Sequence, residues 1–502
     1  VGFAVPFAFA LGGLMMRYPG EKWIHITRRW TMVTWLFLTC GIFLGAHWAY
    51  SVLGWGGYWG WDPVENASLM PWLTGTAFLH SVMMQEKRGM MKTWNVWLIF
   101  STFMLAIFGT LLTRSGLVNS VHAFAQSSIG SWFWTFLVIV LSVCIFTFIL
   151  QRDHLKTDNK LESLVSRESS FLFNNLVLLA ACFTVLWGTL FPVLSEYVQG
   201  NRVTVGAPFY NRVAVPIGLF LLFLTGIGPL LAWRSSSFRS IRKNFVLPCV
   251  AAGVAGLVVI ACGVHPWEIF TTGNQGSFYA FFAFALAAMV VTAISAEFLR
   301  GAGVISRHTG QGIFASMVQL TRRNTRRYGG YIVHFGVVII FIGLAGSAFN
   351  QTREQELGFK DSMNIGPYRL ECQSYSQDSN ANYDTEFALL DVYRGGKKIT
   401  QLAPEKRFYI ASQQPSTMVA NHSTLAWDLY VVYSGKNPDT GQPIITVHLN
   451  PLVAWIWIGV GVVIFGTAVA LAPNMSAALA ASRRRVPAVA GIAEAVPARG
   501  GD

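Results

Sequence analysis

The sequence predicts an all-α polytopic membrane protein, with about 11 helices in this chain and a small antiparallel β domain inserted before the last helix. Three observations predict it. Ten apolar runs approach or exceed the length needed to cross a bilayer, about 20 mostly apolar residues. Charged residues make up only 12% of the 502, against about 25% in a soluble domain. One segment, 350–451, abandons the long apolar pattern for short alternating runs.

The helical runs are 31–52, 69–85, 93–112, 129–150, 170–194, 213–233, 245–263, 276–297, 331–349 and 452–472, preceded by a partial helix at 1–16. The run 69–85 is short and open to extension at either end. The chain opens at Val1 inside an apolar stretch too short to span, so further helices are expected upstream. Alternate loops share a side. One set carries 25 Lys and Arg; in the other, the short loops carry 3. By the positive-inside rule the first set is cytoplasmic and the second faces the periplasm of a bacterium. The net charge of +13 is therefore read as basic loops on one membrane face, not as a nucleic-acid footprint.

The expected domains follow. Residues 1–349 form the transmembrane bundle, with a periplasmic aromatic loop at 53–68. Residues 350–451 form a periplasmic β domain, read from runs such as "FALLDVYR" and "LYVVYSG" between Gly, Pro, Asn and Asp. Residues 452–472 are the final helix and 473–502, rich in Ala, Pro and Arg, a disordered cytoplasmic tail. The six cysteines include no C-x-x-C pair, and five lie in or beside apolar runs, so neither a disulfide framework nor a cysteine metal site is readable.

The loop "WGGYWGWDPVEN", 55–66, threads Trp55, Tyr58, Trp59 and Trp61 through three glycines and runs into a helix that Asn66 or Ser68 is expected to cap, with Pro71 in its first turn. A belt of interfacial aromatics accounts for one or two tryptophans. Four aromatics on a glycine-hinged loop read better as a platform for a planar, apolar ligand. Asp62 and Glu65 are its only acids. They are open to acid–base, ligand-orienting or helix-terminus roles, with the structural ones favoured.

Ionisable residues inside spans are expensive and default to functional candidates. His80 and His334 both lie five or six residues from the inner ends of their runs, roughly 8 Å at 1.5 Å per residue. Two imidazoles at one depth suit the axial positions of a haem iron. They equally suit two independent hydrogen-bonded core histidines. His122, in the next outer loop, is a candidate iron ligand, and Arg114 a bidentate partner for a propionate. The alternative for a lone loop histidine is solvent exposure. His47, eight residues before Trp55, also ends near the outer surface. His448 and His422, in the β segment, are read as surface or structural.

These residues carry a resemblance. "WGGYWGWDPVENASLMPWL" resembles the tryptophan-rich signature of the cytochrome c maturation proteins. With "LTRSGLVNSVHAF", "YGGYIVHFGV" and "NPLVAWIWIG" after a large insertion, the chain is similar to the CcmF family, the large membrane subunits of the bacterial cytochrome c haem lyase. The resemblance runs to about residue 475. It implies a site in the bacterial inner membrane that receives haem from a periplasmic haem chaperone. It further implies support for thioether attachment to the C-x-x-C-H thiols of apocytochrome c. Trp55, Trp59, Trp61, Asp62 and Arg114 would hold the transient substrate haem, and His122 would be the second of two periplasmic ligands, the first lying upstream of Val1. His80 and His334 would hold a separate transmembrane haem b, with reduction as its expected role. Implied partners are the chaperone, apocytochrome c, thiol-reducing and apocytochrome-binding maturation subunits, and membrane lipid.

The chain has no plausible nucleophile of its own, which agrees with thiols supplied by a substrate. A haem transporter or exporter of the same superfamily is the alternative, and needs a continuous polar path along the bundle. A proton-translocating quinone-linked subunit ranks low, because the spans are almost bare of Asp, Glu and Lys.

Overall fold

A computed structural model describes residues 1–18, 22–118, 120, 128–157, 159 and 161–474. The helices in chain order are α1 Ala4–Met15, α2 Lys22–Val52, α3 Pro63–Arg88, α4 Lys92–Ser115, α5 Gly130–Gln151, α6 Arg167–Gln199 and α7 Ala207–Ile227. They continue as α8 Phe238–Ala261, α9 Glu268–Thr271, α10 Gln275–Thr309, α11 Ile313–Arg323, α12 Thr325–Ala345 and α13 Val453–Leu471. Among the described residues, nine of these are long and apolar enough to cross a membrane. The protein is a multi-pass membrane protein. Two short helices, α9 and the amphipathic α11, lie in stretches read from sequence as loop.

The helix α3 is not among the nine, although it holds the run 69–85. Its neighbours explain this. It packs on α2, α4 and α6, so its polar residues meet protein rather than lipid. Thr102 donates to Thr74 at 2.8 Å, Asn95 to Gln85 at 2.8 Å and Asn66 to Thr189 at 3.0 Å. Interhelical bonds of this kind fasten membrane helices where apolar burial gives little drive.

A second device sets α12 against α13. Gly329, Gly336 and Gly343 recur every seven residues on α12, and Gly459 and Gly466 do so on α13. A Cβ at Gly336 would come within 2.8 Å of the Gly459 carbonyl oxygen, and one at Gly466 within 2.6 Å of the Val333 nitrogen. Only glycine permits backbones this close.

Between α12 and α13 the chain forms ten strands in two antiparallel sheets. One sheet has the order β1 (Gln351–Glu356), β10 (Pro443–Pro451), β9 (Trp427–Lys436), β8 (Ala420–Ser423). The other runs β2 (Ser362–Ile365), β3 (Tyr368–Ser379), β4 (Tyr383–Arg394), β6 (Glu405–Tyr409), β7 (Gln414–Met418), with β5 (Lys397–Leu402) on β4. Leu370, Leu390, Val431 and Val447 are among the fully buried residues between them. The strands that follow α12 and precede α13 pair with each other, so the sandwich is tied to the helix pair at both ends of its chain.

Candidate functional site

The aromatic loop ends in a capping box. Asp62 is the N-cap of α3: its carboxylate accepts from the Val64 N–H at 2.9 Å, and Pro63 occupies the first helical position. Glu65 reaches back to accept from the N–H groups of Gly60 and Asp62, both at 3.0 Å. This corrects the expected start of the helix. Asn66 and Ser68 lie inside it, with Pro71 in its interior, because Asp-Pro-x-Glu satisfies the free N–H groups one turn earlier. Ser120 also donates to Asp62, at 2.5 Å, and so ties the next loop to the cap.

Trp61 has a left-handed backbone, φ 56°, a conformation that costs energy in a non-glycine residue and persists only where surroundings impose it. Its surroundings come from three elements. Its indole lies on Tyr210 of α7, centroids 4.8 Å apart and planes 8° from parallel. Its Nε1–H donates to Asn211 at 2.8 Å, and its carbonyl accepts from Asn66 at 3.2 Å. Trp59 stands edge-on to it, 5.9 Å away at 90°. The Trp59 Nε1–H is buried and has no hydrogen-bond partner among the described residues, a donor that a buried site rarely leaves unused. Trp55, at 45% relative exposure, is the open side of the loop.

The other flank of the loop rests on the β sandwich. A Cβ at Gly56 would lie 2.9 Å from the His448 ring, and one at Gly54 2.8 Å from Thr417. Asn450 donates to the Gly56 carbonyl at 3.0 Å and to the Tyr50 hydroxyl at 3.2 Å, and that hydroxyl donates to Asp428 at 3.2 Å. Tyr58 packs against Tyr50 and Trp457, and burial pushes its phenol pKa up. Burial pushes the His448 imidazole pKa down. The loop is thus clamped between the helical bundle and the β domain.

The remaining predicted residues divide. Arg114 is exposed in the last turn of α4 and has no ion pair among the described residues. His122 lies outside the described residues. His47 is exposed beside Trp457, ring centroids 5.0 Å apart. His80 and His334 come together: their centroids are 6.0 Å apart and their planes 11° from parallel. The His80 Nδ1–H donates to the Thr76 carbonyl at 2.8 Å, which leaves Nε2 with its lone pair. The His334 Nδ1 is buried and has no partner among the described residues. With imidazole–metal bonds of about 2 Å, two rings sharing one metal have centroids roughly 6 Å apart. Spacing, tautomer and unused nitrogen fit an iron held between them. Six residues beyond His80, Glu86 accepts from His25 and Arg326 at 2.8 Å each and also from Arg28, locking α2, α3 and α12 beneath the pair.

Sequence reasoning missed Tyr210, Asn211, Asn450 and Glu86, and read His448 as surface or structural. Each acts on a residue far away in the chain, and no local pattern marks it.

These features define a class. A family model described as Cytochrome C assembly protein matches residues 2–118, and one described as CcmF C-terminal beta-sandwich matches 348–451. The chain is similar to Cytochrome c-type biogenesis protein CycK of Bradyrhizobium diazoefficiens, 35% identical over 94% of this chain and 69% of the relative. It is similar to the CcmF proteins of Pseudomonas aeruginosa, at 35% identity, and of Escherichia coli, at 34%, over 91% of this chain and 67% of each relative. A solved structure titled Cytochrome c Heme Lyase CcmF superposes with a TM-score of 0.75 at 28% identity, covering 94% of this chain and 70% of that one. The chain belongs to the CcmF family of cytochrome c biogenesis proteins.

Proposed function

We propose that the protein is the haem lyase subunit of a cytochrome c maturation complex in a bacterial inner membrane. The aromatic loop and β domain face the periplasm, the side opposite the basic loops. Substrate haem passes from a periplasmic haem chaperone to Trp55, Trp59 and Trp61, with Arg114 at its propionates and His122 as an iron ligand. The observation that carries the reading is the clamped loop. Trp61 is fixed by Tyr210 and Asn211, Gly56 is seated on His448, and the buried Trp59 N–H, without a partner among the described residues, is available to a ligand.

The chemistry asked of the site is positioning. A cysteine S–H adds across each haem vinyl group. The sulfur bonds to one vinyl carbon, the proton goes to the other, and the C=C becomes a single bond, with no net redox change. Holding the porphyrin flat while a docked apocytochrome presents its thiols turns a bimolecular encounter into an oriented one, worth up to several kcal/mol of barrier. Asp62 and Glu65 serve by fixing the loop's exit into α3.

His80 and His334 are proposed to hold a haem b, each through one ring nitrogen, with Thr76 fixing the tautomer of His80. A haem bound there supplies one-electron chemistry, suited to keeping substrate iron reduced. The test is a dithionite-reduced spectrum with a pyridine haemochrome assay on protein purified without added chaperone, comparing wild type with His80→Ala and His334→Ala. A b-type signal lost in both variants supports the assignment. No haem in wild type, or haem indifferent to both changes, removes it. A His80→Ala protein that lacks haem b yet still matures cytochrome c would end the reducing role alone.

A further inference from the structure

Beneath the His80–His334 pair the bundle gathers more cations than carboxylates. Lys87 lies seven residues beyond His80 on α3, and Arg327 seven before His334 on α12. Seven residues are two turns, so each cation is on its histidine's helix face and about 10.5 Å below it. Arg167 opens α6, one turn before Phe171, whose ring is 6.2 Å from that of His80. Trp233 joins these groups. Its ring is 6.1 Å from Phe171, with the Lys87 Nζ 4.8 Å and the Arg167 Cζ 5.6 Å from its centroid.

The carboxylates nearby are already engaged. Glu86 takes His25, Arg28 and Arg326, and Glu297 takes Arg300 and Arg327. Among the described residues, the Arg167 guanidinium donates only to backbone, the Leu231 carbonyl at 3.1 Å and the Pro229 carbonyl at 2.6 Å. Among the described residues, Lys87 has the face of Trp233 and no hydrogen bond or ion pair. A guanidinium and an ammonium held at one indole ring, with no carboxylate at ion-pair distance among the described residues, suit an anion from outside the chain.

We infer that Lys87 and Arg167, seated on Trp233, form a carboxylate site for the propionates of the haem assigned above to His80 and His334. The inference rests on that assignment. Two turns of helix is of the order of the distance from a porphyrin's centre to its propionate carboxylates. Lys87 and Arg167 would hold the propionate carboxylates of a haem bound by the two imidazoles, and Trp233 would fix the two cations in place. Cations at the propionates also favour the iron state of lower positive charge, so the site raises the midpoint potential of the bound haem.

The test uses the full chain in detergent: wild type, Lys87→Met, Arg167→Gln and the charge-keeping Lys87→Arg. Haem content, redox midpoint, rate of haem loss to apomyoglobin and co-purifying phospholipid are measured on each. The expected result is a lower midpoint in Lys87→Met and Arg167→Gln, with haem lost roughly tenfold faster, the scale of one charge-assisted hydrogen bond. Lys87→Arg stays close to wild type. An unchanged midpoint and loss rate in both neutral variants would overturn the inference while leaving the histidine assignment standing. Loss of bound anionic phospholipid at unchanged haem behaviour would overturn it in favour of a lipid phosphate. Wild type without any b-type haem would bring down the histidine assignment itself, and this inference with it.

Discussion

The indole of Trp61 lies flat on Tyr210, centroids 4.8 Å apart, although 149 residues separate them in the chain. That stack holds the left-handed backbone of Trp61 in place and sets the plane of the loop. Tyr210→Ala is expected to lower stability by about 3 kcal/mol and to reduce cytochrome c maturation. Tyr210→Phe, which keeps the ring, should mature cytochrome c at a near wild-type level. Thermal unfolding in detergent and haem staining of c-type cytochromes in a complemented strain read both effects. Equal maturation by the alanine and phenylalanine variants would separate the stack from function.

Gly60 tests the platform rather than the fold. A Cβ there would collide with the far edge of the Trp55 ring, which is exposed and able to swing away. Gly60→Ala is therefore expected to displace Trp55 at a stability cost of about 1 kcal/mol or less. Maturation should fall by more than that loss explains. The same defect in Trp55→Ala, with no further loss in the double variant, would place both changes on one contact.

The two acids of the loop should prove structural. Asp62→Ala removes a helix cap, with an expected loss of about 1 kcal/mol. Glu65→Ala leaves two N–H groups without their carboxylate, about 1–3 kcal/mol. Asp62→Asn keeps a capping oxygen and is expected to mature cytochrome c normally. A fully stable Asp62→Asn protein that makes no cytochrome c would instead give Asp62 a chemical role.

His448 gives the clamp a pH dependence. Burial lowers its pKa in the folded protein below the ordinary value of about 6.5. The unfolded chain then binds the proton more readily. The stability contributed is fully present above the unfolded pKa and is lost as pH falls through the folded one. Hydrogen–deuterium exchange at Gly54–Gly56 should accelerate between pH 7 and pH 5 beyond the intrinsic chemical trend, and His448→Phe should flatten that response. A wild-type profile already flat would dismiss the histidine as a titrating part of the contact.

The helices were legible because a bilayer demands long apolar runs, and that demand acts on contiguous sequence. The β domain was legible for the complementary reason, alternating short runs between turn residues. The start of α3 is the exception: its cap, Asp62, lies a turn or more before the expected ones. Asn66 and Ser68 are good capping residues, and choosing among caps depends on which one the chain bends to meet. Asp62 wins because Pro63 and Glu65 cooperate with it.

The sequence by itself determined the multi-pass helical architecture, the antiparallel β domain before the last helix, the aromatic loop and the placing of His80 and His334 inside apolar runs. All of these are written in local pattern: run length, alternation, residue type and distance from a span's end. Tertiary structure alone decided the 6.0 Å approach of the two imidazoles, the seat of Gly56 on His448, the stack of Trp61 on Tyr210 and the pairing of cations over Trp233. Those relationships depend on how α12 lies against α13 and α3 against its neighbours. That packing is set by glycine stripes and buried hydrogen bonds between segments up to hundreds of residues apart, whose partners a linear reading cannot assign.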